Sequence, residues 1–222
     1  MSTKIKLLLA GVGLFFLFIL FSYLVHKDLF MQFDFNTTVR LQNNISRRFD
    51  GVFSFLSDVG KFEVMTIVLI VTFVFMRKLW AGIVGFCLFG VFHIIELYGK
   101  FFVDHPPPPH FMLRTQDLVD FPQFYVSTDF SYPSGHAGRT VFLSVILFVF
   151  FLTNKKLSKT VKSIICGLMV LYDAAMIISR VYLGEHWSSD VIGGTLLGAA
   201  FALITATFMI SQPRHAATGK NK

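Results

Sequence analysis

The stretch SRVYLGEHWSSD at residues 179–190 brings a guanidinium, an imidazole and a carboxylate into one short segment between two long apolar runs. If a helix begins near His186, Asp190 lies four residues on and shares its face, one turn away. A carboxylate at that offset accepts a hydrogen bond from one imidazole nitrogen. That fixes the tautomer and leaves the other nitrogen free as a nucleophile. Arg180 lies six residues before His186 and offers five donors in a rigid fork suited to phosphate oxygens. An ordinary interfacial loop can hold the same residue types, so this stretch alone does not decide the matter.

A second group stands at Tyr132-Pro133-Ser134-Gly135-His136, just before another apolar run. Ser134 suits the N-cap of a helix, where its hydroxyl and the first free backbone amides form an anion site. Gly135 lets the backbone approach bound oxygens closely. His136 stands at the helix start, placed to protonate a departing oxygen. A plain N-cap with an exposed histidine is the alternative. A third group is Glu96 with Lys100 at the i,i+4 offset near the end of an apolar run. Charges there are costly in lipid and should face the bundle interior or water, unless they merely pair while Lys100 snorkels outward. His93, close by, reads as a packed polar neighbour, and Asp173 as an anchor for another polar side chain.

The elements that must position these groups are membrane helices. Of 222 residues, 54% are hydrophobic, 28 are Phe, and only 15% are charged, against about 25% charged in soluble domains. The composition predicts an all-α polytopic membrane protein in one domain, residues 1–222. Six spans are expected at 7–25, 64–76, 79–95, 137–153, 163–179 and 191–211. The second is the shortest, so Lys61 and Glu63 must sit at the interface or the bilayer must thin. The first follows Lys4 and Lys6 but is long for a signal peptide and lacks a small-x-small cleavage site, which favours a retained helix.

Charge is distributed by side. With the N-terminus inside, the inner segments carry Lys4, Lys6, Arg77, Lys78, Lys155, Lys156, Lys159, Lys162, Arg214, Lys220 and Lys222, and no acidic residue. That pattern places both termini in the cytoplasm. The net charge of +7 then reports orientation and anionic headgroups rather than nucleic acid. Cys87 and Cys166 fall inside spans and imply no disulfide framework. The outer connection 26–61 suggests one or two amphipathic helices at the membrane surface. Residues 104–134 open on four prolines and predict an outer loop with one short helix at most. His105 and His110 lack a third ligand at metal-binding spacing.

Under six spans, Lys100, the Ser134–His136 loop, Arg180, His186 and Asp190 all fall at outer span ends. At this point the sequence resembles the type 2 phosphatidic acid phosphatase family, shared with vanadium haloperoxidases and acid phosphatases, over roughly residues 79–211. The family's second motif is intact as Pro133-Ser134-Gly135-His136 and its third as Ser179-Arg180, His186 and Asp190. The first is incomplete: Lys100 is followed after six residues by Pro107-Pro108, so proline stands where the family has arginine. Arg114 or Arg139 is the expected substitute. The resemblance implies catalysis by His186, His136 and Asp190, phosphate binding by Lys100, Ser134, the Gly135 amide and Arg180, and no metal or other cofactor. It implies hydrolysis of a lipid phosphate in the membrane, phosphatidylglycerophosphate first and undecaprenyl diphosphate as the alternative, at a site on the extracytoplasmic face. A chain that lost its chemistry at Pro107 would instead be a non-enzymatic lipid-binding or transport protein.

Overall fold

A computed structural model of the chain describes residues 1–116 and 129–210. The remainder of the proline-rich outer loop and the basic tail bearing Arg214, Lys220 and Lys222 lie outside the described residues. Lipid offers no partner to a backbone N–H or C=O, so each apolar run satisfies its own backbone as a helix. The described residues hold eight α-helices and no strand: α1 (Thr3–His26), α2 (Met31–Asn44), α3 (Asp50–Val59), α4 (Phe62–Phe75), α5 (Leu79–Phe102), α6 (Gly135–Thr153), α7 (Lys159–Tyr182) and α8 (Ser188–Met209). Short 3-10 turns stand at Arg47–Phe49 and His110–Met112.

Five helices, α1 and α5 to α8, are long and apolar enough to cross a membrane. The expected second span is the short helix α4. Its 14 residues reach only about 21 Å, against a hydrocarbon core of about 30 Å. Lys61 occupies its N-cap position and Glu63 its first turn, so its N-terminal end stops at charge as the sequence requires.

The connection between α1 and α4 holds two helices whose amphipathy is the reverse of a soluble protein's. Asp34 and Thr38 of α2, and Asp50, Ser54 and Ser57 of α3, are buried, whereas Phe33, Phe35, Val52 and Phe55 point outward. In lipid an exposed aromatic costs nothing, so these helices can turn their polar faces inward, onto the end of α7 and the start of α8. That helix changes character along its length: its buried residues are Met176 and the final turn from Ser179 to Tyr182.

The core is aromatic. Phe89, Phe92 and Phe142 pack between α5 and α6, with centroid separations of 5.9 and 5.2 Å about Phe89. Tyr132 is buried against Phe18 of α1, and its hydroxyl meets the Ser22 hydroxyl at 2.8 Å. Because Ser22 donates to the Phe18 carbonyl, Tyr132 is the donor in that pair. Asp173 finds its partner in Ser144, whose hydroxyl donates at 2.7 Å.

Helix α8 meets α6 through glycine. A Cβ at Gly194 would stand 2.1 Å from the Ser134 carbonyl oxygen, and one at Gly198 2.1 Å from that of Gly138. Small residues at a four-residue offset thus let two backbones touch. The obstacle is main chain, which cannot rotate aside. Gly194→Ala is expected to lower stability by ~1–3 kcal/mol, read as a fall in thermal unfolding temperature in detergent. Gly167→Ala, where nothing lies within 4 Å, does not lower it, since alanine is the better helix former.

Candidate active site

Helix α7 ends in a turn that throws the chain back over its own last residues. Gly184 adopts a φ of 71°, the left-handed conformation glycine takes without penalty. The Gly184 amide donates to the Val181 carbonyl at 3.1 Å and the Glu185 amide to that of Arg180 at 3.2 Å, a Schellman termination. The His186 amide also reaches the Arg180 carbonyl at 3.2 Å. Arg180 and His186 are thus brought together by backbone alone.

Helix α8 begins at Ser188 rather than near His186. His186 therefore stands ahead of the helix, and the expected one-turn stacking is not what pairs it with Asp190. Asp190 sits at the third helical position and reaches back across the cap. Its Oδ2 accepts from the Trp187 amide at 2.9 Å and from His186 Nδ1 at 3.2 Å. A carboxylate only accepts, so Nδ1 carries the proton and Nε2 keeps its lone pair.

Ser134 occupies the N-cap position of α6, but its side chain makes no capping bond, contrary to expectation. Its hydroxyl is buried without a partner, while its amide donates to the Asp190 carbonyl at 3.0 Å and ties the two motifs together. Gly135 packs against the Glu96 carboxylate, where a Cβ would come within 2.0 Å of Oε1. His136 lies over Gly60, between α3 and α4, where a Cβ would stand 2.9 Å from its Cδ2.

Glu96, buried in α5, organises the cations. It meets His93 Nδ1 at 2.9 Å, Lys100 Nζ at 3.1 Å and Arg139 Nη1 at 3.6 Å. Lys100 does face the interior, so the expected ion pair and the expected site are one arrangement. His93 is packed edge-on by Phe62, Phe89 and Phe92 and still reaches the site through Glu96. Of the two candidate substitutes for the missing arginine, Arg139 is buried here and donates to the Gly60 carbonyl at 3.1 Å. Arg114 is elsewhere: it donates to the Gln42 carbonyl at 3.1 Å and lies over the Tyr182 ring.

These groups enclose a cavity of about 520 Å³. Lys100, Gly135, His136, Arg180 and His186 line it; Asp190 stands behind His186, and Ser134 behind Gly135. Lys61, Glu63, Arg139 and Glu185 also line it. Glu185 forms an ion pair with Arg180, whose other terminal nitrogen donates to Ser57 of α3. Nothing in the sequence singled out Glu185 within the motif or Ser57 on a surface helix. Arg180 Nε, His136 Nε2 and the Ser134 hydroxyl are buried with no hydrogen-bond partner among the described residues. Such groups cost about 1–3 kcal/mol each, a cost that an oxyanion held among them removes. Burial, helped by Arg180 and Lys100, pushes the His186 pKa below its ordinary 6.5, while Asp190 pulls the other way. The chemistry available is attack by an imidazole on an anionic centre clamped by cations.

The model of the PAP2 superfamily matches residues 78–214. The undecaprenyl-diphosphatase of Sulfolobus acidocaldarius is 30% identical over 164 residues, 74% of this chain and 72% of that protein. Phosphatidylglycerophosphatase B of Bacillus subtilis is 25% identical over 134 residues, 60% and 61% of the two chains. The crystal structure of a transmembrane PAP2-type phosphatidylglycerolphosphate phosphatase from Bacillus subtilis shares the fold, with a TM-score of 0.70 at 21% identity over 88% of this chain and 93% of that one. Two complete motifs around one cavity and a family match over most of the chain lead to one conclusion: the chain is a membrane phosphatase belonging to the PAP2 superfamily.

Proposed function

We propose that the chain hydrolyses phosphatidylglycerophosphate to phosphatidylglycerol and phosphate through a phosphohistidine on His186. The observation that carries this reading is that both histidines open into one cavity holding Lys100, Arg139 and Arg180. His186 Nε2 attacks phosphorus in line, and Asp190 stabilises the imidazolium that results. His136 protonates the leaving lipid alcohol, then takes a proton from the water that releases phosphate. Lys100, Arg180 and the Gly135 amide hold the equatorial oxygens as charge spreads over them, with Arg139 in place of the arginine lost at Pro107.

The basic inner segments support a topology with both termini in the cytoplasm and the cavity on the opposite face. A lipid phosphate in that leaflet is then within reach. Undecaprenyl diphosphate is the second reading, favoured by the greater identity and coverage of the Sulfolobus acidocaldarius undecaprenyl-diphosphatase. Phosphate release from both lipids by the purified protein, with chelator present, separates them. A kcat/KM higher on phosphatidylglycerophosphate is expected; preference for the isoprenoid diphosphate reverses the assignment.

The lowered His186 pKa has a kinetic sign. The neutral ring is the nucleophile, so activity persists as pH falls and is lost only below 6.5, the ordinary value. A substrate phosphate ionising near pH ~6 adds a limb of its own. Asp190→Asn separates the two: it removes the charge that raises the His186 pKa, so the enzyme's limb moves to lower pH while the substrate's stays. An unmoved profile would show that His186 does not set it.

A further inference from the structure

Behind His186 lie three buried polar residues that the chemistry above does not use: Asp34 of α2, His105 before the proline run, and Ser189 of α8, with 1%, 3% and 0% exposure. Asp34 accepts from the Ser189 amide at 2.8 Å and from its hydroxyl at 2.6 Å. It thus caps α8 from another helix. The Ser189 hydroxyl has spent its one proton on Asp34, so at 3.1 Å it can only accept from His105 Nε2–H. The same Nε2 stands 3.5 Å from Asp190 Oδ1, the carboxylate oxygen that has no hydrogen-bond partner among the described residues. Both sides of this segment are pinned. The His105 carbonyl accepts from the Ser131 amide at 3.1 Å, and the Pro106 carbonyl from the Trp187 indole at 2.8 Å.

We propose that His105, held by Asp34 and Ser189, is a positioning residue that fixes the rotation of the Asp190 carboxylate and, through it, the ring plane and tautomer of His186. This rests on the phosphohistidine reading and deepens it. A carboxylate gripped at one oxygen can still turn about its Cβ–Cγ bond, and a donor at the other oxygen stops that turn. The 3.5 Å separation is long for a hydrogen bond, and such contacts tighten when substrate is bound. Arginine or lysine at 105 would bring a permanent charge against Asp190 and spend the negative charge that the His186 imidazolium needs. An imidazole supplies the donor without that requirement. The extended proline run holds His105 stiffly, and the polar face of α2 gains a purpose: it carries Asp34 to this point.

The test compares His105→Leu, which keeps bulk and loses the donor, with His105→Gln, whose amide nitrogen falls near the position of Nε2. Steady-state phosphate release from the preferred lipid is measured on purified full-length protein, with unfolding temperatures. His105→Leu is expected to lower kcat by ~10–100-fold, as outer-layer partners of a site typically do, with KM little changed. His105→Gln restores most of the loss. Ser189→Ala, which removes only the hydroxyl holding Nε2, gives a smaller fall in kcat of the same kind and serves should His105→Leu not assemble. Equal impairment of the leucine and glutamine variants overturns the proposal in favour of packing, as does an undiminished kcat in His105→Leu or Ser189→Ala. His186→Ala run alongside separates the two claims: full activity there sinks the phosphohistidine reading itself, whereas its loss beside an intact His105→Leu sinks this inference alone.

Discussion

His186→Ala is expected to lower turnover by ~10⁴–10⁶-fold, equivalent to about 5.5–8 kcal/mol of barrier. His186 Nε2 is left unprotonated because Asp190 holds the proton on Nδ1, and unlike His93, whose pair with Glu96 is packed among Phe62, Phe89 and Phe92, His186 follows directly on the turn that carries Arg180. Alanine removes the attacking atom while leaving the clamp of Lys100, Arg139 and Arg180 in place. Binding should persist as chemistry stops, so kcat falls far more than KM rises. The fold should survive, because the turn carrying residue 186 is built by Gly184 and the Arg180 carbonyl and not by the imidazole. A rapid alkaline quench with labelled substrate should trap phosphate on the unaltered protein and none on the variant. A variant that keeps its turnover, or still carries label, would end the nucleophile assignment.

Much of this site was legible because its residues are constrained by local geometry. A His and an Asp four apart can meet either on one helical face or across a helix cap, and the sequence cannot say which. The helix start at Ser188 selects the cap, and the pairing survives the change. The helices themselves were legible from hydropathy, since lipid leaves an apolar run no other way to satisfy its backbone. The short second span was visible for the same reason: Glu63 and Lys61 bound it on one side and Arg77 on the other.

What stayed hidden depends on tertiary contacts. Arg114 and Arg139 were equal candidates on paper, and only the packing of α6 on α5 brings Arg139 to Glu96 while the Gln42 carbonyl takes Arg114. In hindsight the four-residue spacing from Gly135 to Arg139 was a signal, since it puts both on one face of the new helix. In the sequence His105 stands out only as a metal-ligand type without a third partner at suitable spacing. Its partners lie in α2 and α8, so no spacing rule could have found them. Amphipathy suggests that α2 and α3 lie at the membrane surface, but it does not show which partners their polar faces meet, such as Ser57 with Arg180.

The second large effect is expected at Arg180, where Arg180→Lys should lower kcat/KM by ~10²–10³-fold, the loss typical of one transition-state donor and about 2.7–4 kcal/mol. Lysine keeps the charge, so the prediction concerns shape. The guanidinium is 1% exposed, with one terminal nitrogen on the Ser57 hydroxyl, the other on Glu185, and Nε without a partner. A single ammonium cannot reproduce that fork, and its stronger hydration is harder to strip in so buried a place. Arg139→Ala should cost less, because Lys100 still answers to Glu96 beside it, whereas Arg114→Ala should leave kcat unchanged, since its guanidinium lies over Tyr182 and outside the cavity. The ordering Arg180→Lys below Arg139→Ala below Arg114→Ala in kcat/KM, measured with equal unfolding temperatures, is the signature of a clamp whose strength lies in directed donors. Were lysine to serve at 180 as well as arginine, net positive charge alone would account for phosphate binding, and the buried geometry around Ser57 and Glu185 would have no catalytic meaning.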